Sequence, residues 1–202
     1  MSIAVGPNRH SIVGVLLAAG AGVRFGSGGK LLHPLSDGTP IAIASARNLI
    51  AALPRSIAVV RPQQQELQAK LDALGYAVTV CPNAGEGMGV SLAHAIAASG
   101  EDIDGWVVAL ADMPFVRPTT ITAVADAIAK GATLAAPFFR GERGHPVGFS
   151  SRLRNELLSL AGDEGARSVL KRHIAELRAI ECDDPGIVAD IDTPADLTTR
   201  SR

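Results

Sequence analysis

Ile12-Val-Gly-Val-Leu16-Leu-Ala-Ala-Gly20-Ala-Gly22-Val-Arg24-Phe-Gly26-Ser-Gly-Gly-Lys30 is an aliphatic run that breaks abruptly into a glycine loop carrying two cations. The β-branched and aliphatic residues of 12–18 suit a strand buried on both faces, as in a mainly parallel sheet covered by helices. The five glycines between Gly20 and Gly29 suit close approach of backbone to a ligand, with N–H groups turned toward an anion. Arg9 and His10 before an apolar stretch have the outline of a secretory leader. The buried-strand reading is preferred because the stretch runs straight into the loop of Arg24 and Lys30.

From this strand outward, short aliphatic runs alternate with amphipathic ones to the end of the chain. Strands are expected over 12–18, 56–60, 77–81, 106–111, 133–138, 147–149 and 177–181, and helices over 40–53, 63–74, 90–99, 118–130, 151–160 and 166–174. That order predicts an α/β fold with three Rossmann-like layers and a mainly parallel, mixed central sheet. Thr39-Pro40, Arg61-Pro62 and Arg117-Pro118 mark helix boundaries. No repeat, low-complexity tract or linker divides the chain, so residues 1–202 read as a single domain with loose ends at 1–11 and 199–202.

The composition agrees and narrows the function. Hydrophobic residues make up 47% of the 202 and aromatics only 3%, so the core must be aliphatic. Nineteen Lys and Arg balance twenty Asp and Glu, with no basic run to follow a phosphate backbone, which argues against nucleic acid as a partner. No apolar run approaches the roughly 20 residues that span a bilayer, so no membrane partner is expected. Cys81 and Cys182 are far apart and outside any metal spacing, which fits a reducing, cytoplasmic compartment.

In such a fold the chemistry lies at the carboxyl ends of the strands. The first loop fails both familiar glycine motifs. From Gly20 and Gly22 the third glycine of a dinucleotide fingerprint would fall on Phe25; the Walker A glycine would fall on Arg24, and Leu31 replaces its hydroxyl residue. Arg24 as a fork and Lys30 as a point charge can instead close around a triphosphate, or be solvated cations on a surface loop. Asp112 follows the apolar run Trp106-Val-Val-Ala-Leu-Ala111, where a carboxylate would hold a metal bridging phosphate oxygens, or would cap a turn. In Gly85-Glu-Gly87-Met-Gly89-Val-Ser91 the glycines can free backbone groups to read a base, or supply flexibility between strand and helix.

These segments together resemble the signature of the GT-A-like nucleotidyltransferases, the NTP transferase family, and are most similar to its molybdenum cofactor cytidylyltransferase branch. The resemblance rests on Leu16-Leu-Ala-Ala-Gly-x-Gly-x-Arg-Phe-Gly-x-x-x-Lys30, Asn83–Leu92, Leu110-Ala-Asp-Met-Pro114, Gly144-His-Pro-Val147, Gly162-Asp-Glu-Gly-Ala-Arg167 and Asp190-Ile-Asp-Thr-Pro-Ala-Asp196-Leu, in order along nearly the whole chain. It implies Mg²⁺-dependent transfer of CMP from CTP to a phosphate acceptor of the molybdopterin type, with Mn²⁺ able to substitute and pyrophosphate released. Arg24, Lys30 and Asp112 would be catalytic. Leu17, Ala18, Ala19, Gly20, Gly22, Gly87 and Ser91 would join them around the nucleotide. Arg143, His145 and Arg167 would face the acceptor, although His145 can equally brace a turn. Asp112 and Asp192 would hold the metal, with Asp190 the other candidate. Ala19, where related guanylyltransferases carry glycine, leans toward CTP. A molybdoenzyme or its maturation factor would be a partner. Two rival readings are an NAD(P)H-dependent oxidoreductase of the nicotine-blue type, opposed by the failed fingerprint, and a non-catalytic molybdenum-cofactor chaperone, opposed by intact Arg24, Lys30 and Asp112.

Overall fold

The computed structural model describes residues 12–20 and 29–199. Gly22 and Arg24 lie outside the described residues. The described chain runs β1 (Ile12–Leu17), α1 (Ile41–Ala52), β2 (Ser56–Val60), α2 (Gln65–Ala73), β3 (Ala77–Val80), α3 (Met88–Ala98), β4 (Gly105–Leu110) and α4 (Pro118–Ala129). It continues with β5 (Leu134–Phe139), β6 (Glu142–Arg143), β7 (Val147–Ser150), α5 (Arg154–Leu158), α6 (Arg167–Arg172), β8 (Leu177–Glu181) and α7 (Pro194–Thr199). The strands form one eight-stranded sheet in the order β3-β2-β1-β4-β7-β5-β6, with β8 also paired to β5. β1 pairs in parallel with β2 and β4, as do β2 with β3 and β5 with β8, whereas β7 runs antiparallel to both β4 and β5. The expected α/β fold with a mainly parallel, mixed sheet is therefore observed.

Period-two alternation sorts the core into two layers. Along β1, Ile12 and Leu16 face a cluster built with Ala42, Ala46 and Leu49 of α1 and Ile121, Val124 and Ile128 of α4. Val13 and Val15 face the opposite cluster, with Leu92, Ala95 and Ile96 of α3 and Leu157 and Val169 behind them. Helices thus cover both faces, and the core is aliphatic: among the described residues only Trp106, Phe149 and Tyr76 contribute buried aromatic rings. Close packing of α4 on the sheet depends on Gly148, where a Cβ would lie 2.7 Å from Ile128 Cγ1.

Several boundaries differ from expectation. Pro118 opens α4 at its first position, but Pro40 is the cap of α1 rather than its first residue, and it bridges to Pro34. After Arg61-Pro62 the chain makes a turn before α2 begins at Gln65. The two-residue strand β6 goes unseen in the sequence, being too short for any periodicity.

The segment after β8 matters most for the site. Asp184, 2% exposed, accepts hydrogen bonds from the backbone N–H groups of Arg117 (2.9 Å) and Gly186 (3.0 Å) and from Thr120 Oγ1 (2.6 Å). The Ile187 carbonyl accepts from His145 N–H, and Ile191 N–H donates to the Asp112 carbonyl at 3.0 Å. This chain of bonds straps residues 184–191 onto the loop that leaves β4, and so delivers Asp192 beside Asp112. Replacing Asp184 by Ala orphans three donors, two of them at the entrance of α4. We expect Asp184→Ala to lower the unfolding free energy by about 3 kcal/mol in urea titration, and Thr120→Val, which removes one bond, by about 1 kcal/mol.

Candidate functional site

Three polar side chains from distant parts of the sequence meet at the carboxyl edge of the sheet. The sharp 3₁₀ turn Lys30–Leu32 aims Lys30 inward, where its Nζ donates to Asp112 Oδ2 at 2.8 Å and to Asp192 Oδ1 at 2.7 Å. Asp112 is held by the end of β4, whose extension bonds back to β1 through Ala111 N–H and the Leu17 carbonyl. Asp192 is held from behind by Asp196, whose Oδ2 accepts from the N–H groups of Asp192 and Thr193 and from Thr193 Oγ1. Asp196 therefore caps this turn, which leaves the Asp192 carboxylate facing Lys30.

Lys30 is only 8% exposed. Burial is the largest single influence on its ammonium and pulls its pKa down, but the hydrogen bonds and charges of Asp112 and Asp192 outweigh it and the pKa is raised. The lysine stays charged at neutral pH. Asp190 does not share this bridge. It lies on an irregular stretch, and burial first, then the negative charge of Asp192, pushes its carboxyl upward.

These groups border a cleft of about 470 Å³ that runs along the ends of β1, β2 and β4. Of the nucleotide residues expected from the sequence, Leu17, Ala19, Gly20, Lys30, Gly87, Ser91 and Asp112 line it, and Ala18 is buried beneath. Gly20 and Gly85 have open space where a Cβ would stand, so the backbone there is bare toward the cleft. Gly87 and Gly89 have another explanation. At Gly87, with φ of 131°, a Cβ would lie 2.3 Å from the Gly162 carbonyl carbon, and Gly89 N–H donates to the Gly162 oxygen at 2.8 Å. The 85–89 loop needs these glycines to pack against residues 161–163, which brings Asp163 to the rim.

The acceptor-side residues are not in this cleft. Arg143 is exposed on β6, and Arg167 is exposed at the start of α6. His145 lies behind the β4 loop, half-buried, with its Nδ1 enclosed. Burial above all, then the neighbouring Arg143 cation, pushes its pKa down to about 4, so the ring is neutral at pH 7 and brings no positive charge to an anion. Its backbone N–H serves the 184–191 strap.

Sequence reasoning missed Arg61, which sits half-buried at the end of β2 and lines the cleft, its Nε donating to the Ala19 carbonyl. Its place directly after an apolar strand was a usable signal, because a polar residue there faces the crevice of an open α/β sheet. Met88, Ala84 and Leu31 also line the cleft, as apolar wall.

A divalent cation suits the pair Asp112 and Asp192. Both carboxylates already reach one cation, Lys30 Nζ, so their oxygens converge on a common space, and both are hard oxygen donors. Among the described residues no group of three or more His, Cys, Asp or Glu could hold a metal by itself. Such a site is of the kind completed by substrate phosphates and water. Among the described residues no helix is long and apolar enough to cross a membrane.

Residues 14–177 match the family model described as the MobA-like NTP transferase domain. Two curated relatives align over almost their full length. Nicotine blue oxidoreductase of Paenarthrobacter nicotinovorans is 30% identical over 90% of this chain and 92% of its own. Purine catabolism protein PucB of Bacillus subtilis is 31% identical over 91% of this chain and 92% of its own. Among solved structures, Rv0371c of Mycobacterium tuberculosis superimposes with a TM-score of 0.81 at 27% identity, covering 94% of this chain and 96% of that one. Its manganese complex gives 0.77 at 26% identity, over 94% and 97%. The signature loop, the cleft at the carboxyl edge of the sheet and these likenesses agree: the chain belongs to the MobA-like NTP transferase family and is a nucleotidyltransferase.

Proposed function

We propose that this protein transfers CMP from CTP to a phosphate of a pterin-type acceptor, molybdopterin or its molybdenum-bearing form, and releases pyrophosphate. The observation that carries the reading is the meeting of Lys30, Asp112 and Asp192 at one end of a cleft with bare glycine backbone along its side. The glycines of the first loop, with Gly20 among the described residues, would present N–H groups to phosphate oxygens. Lys30, and by resemblance Arg24, would neutralise negative charge growing on the departing pyrophosphate. Mg²⁺ or Mn²⁺, when bound, supplies Lewis-acid polarisation of the phosphoryl oxygens, and Asp112 and Asp192 would hold it. No general base is needed, because the attacking acceptor phosphate is already an anion. The cleft's remaining task is to align acceptor oxygen, α-phosphorus and leaving oxygen.

Arg143 and Arg167, exposed beyond the cleft, would meet an anionic acceptor or the molybdoenzyme or maturation factor that receives the product. Two free thiols, Cys81 and Cys182, are consistent with a cytoplasmic setting. The manganese complex of Rv0371c supports divalent metal use in the family.

Incubation with Mg·CTP and molybdenum-loaded molybdopterin should release pyrophosphate. Asp112→Ala or Lys30→Ala should lower that release by roughly two orders of magnitude or more while circular dichroism stays native. The same incubation with NADH or NADPH in place of CTP should leave absorbance at 340 nm constant; steady oxidation of the nicotinamide would favour the chemistry named for the Paenarthrobacter relative. A further consequence follows from Lys30 and the metal sharing the same two carboxylates. In Mn²⁺ titrations followed by electron paramagnetic resonance, Lys30→Met should bind Mn²⁺ alone more tightly than wild type, yet gain less from added CTP.

A further inference from the structure

We propose that Arg61 reads the base of the nucleotide, selecting by its guanidinium fork a base with two adjacent hydrogen-bond acceptors. The inference rests on the nucleotidyltransferase reading of the cleft and adds the residue that sets its specificity.

The order of strands orients the ligand. Asp112 follows β4, Ala19 follows β1 and Arg61 follows β2, and these three strands are neighbours in that order. Strands in a sheet are about 4.8 Å apart, so Arg61 lies roughly 10 Å along the edge from the carboxylate pair. That separation is the reach from a phosphate across a ribose to a base. The lining also includes Ala19, whose carbonyl Arg61 holds, and Ala84, Gly85 and Met88, which offer apolar wall and bare backbone suited to a flat ring.

Arg61 is also arranged to donate. Its Nε is committed to the Ala19 carbonyl, and its backbone N–H donates to Gln64 Oε1 at 2.7 Å. These bonds fix the plane and base of the side chain while leaving the end-on pair Nη1 and Nη2 for a ligand. Among the described residues Arg61 forms no ion pair, in contrast to Lys30, which is already matched by two carboxylates. A planar fork binds two acceptors side by side. Cytosine offers O2 and N3, and guanine offers O6 and N7. Adenine sets an amino donor beside each acceptor of its exposed edges, and uracil carries N3–H between its carbonyls, so neither matches. Under the CTP reading the pair is O2 and N3 of cytosine.

The test is calorimetric binding of the four Mg·NTPs and of Mg·tripolyphosphate, which lacks a base, to wild type, Arg61→Gln and Arg61→Lys. Wild type should prefer CTP over ATP and UTP by about tenfold or more. Arg61→Gln should erase this ratio while leaving tripolyphosphate affinity within about twofold, and Arg61→Lys, charged but unforked, should lose most of the ratio as well. Should Arg61→Gln fold poorly, Arg61→Lys carries the comparison alone. A preserved ratio in a folded variant overturns the inference, and so does an equal loss for CTP and tripolyphosphate, which would make Arg61 a phosphate or scaffold residue. If wild type binds none of the NTPs, the nucleotidyltransferase reading of the cleft falls first; if it binds them without base preference, that reading survives and this inference does not.

Discussion

The site depends on one buried ammonium held by two carboxylates. Lys30 lies 82 residues from Asp112 and 162 from Asp192, and its bonds to them, at 2.8 and 2.7 Å, close the first loop, the centre of the sheet and the C-terminal strap onto a single point. A lysine this far out of water would be costly without those partners, and two carboxylates so close together would repel without a cation between them. Each side makes the other tolerable. The same arrangement defines what a ligand must bring: a cation to take the carboxylates, and an anion to take the lysine. A metal-bound triphosphate brings both.

The rest of the fold serves to fix that point. β4 lies between β1 and antiparallel β7, with helices on both faces, so the backbone at Asp112 is held by the sheet. Asp192 has no strand to hold it. Its place comes from the buried Asp184 carboxylate, from Ile187 seated in the core and from the bond between Ile191 and Asp112, with Asp196 tying the turn behind it. A segment that looks like a loose C-terminal connection is therefore part of the wall of the cleft.

Much of this was legible in the sequence, for physical reasons that can be named. The alternation of aliphatic and amphipathic runs gave the layers, because a strand buried on both faces and a helix covering it have different periods. Lys30 and Asp112 could be singled out because charged residues in a glycine loop or at the end of an apolar strand have few structural uses, whereas Asp192, with Asp190 as its rival, came only from the family resemblance. What stayed hidden depended on tertiary contact. The antiparallel insertion of β7 between β4 and β5 leaves no local trace. Gly87 and Gly89 read as ligand-facing backbone, whereas their missing side chains make room for residues 161–163. His145 reads as a possible phosphate contact, and only its enclosure makes it a neutral ring behind the site. Arg61 reads as a helix boundary because of the proline after it, although its place at the end of β2 puts it in the cleft.

If the lysine-bridged carboxylate pair is the metal end of a nucleotide site, metal and triphosphate must divide its charges between them. A crystal structure with Mn²⁺ and a non-hydrolysable CTP analogue, with the metal located by anomalous scattering, tests it most directly. One Mn²⁺ is expected, bound by Asp112 and Asp192 together with phosphate oxygens, with Lys30 Nζ moved from the carboxylates to the triphosphate. Manganese bound elsewhere, with the Lys30 bridge intact beside a bound nucleotide, would contradict it.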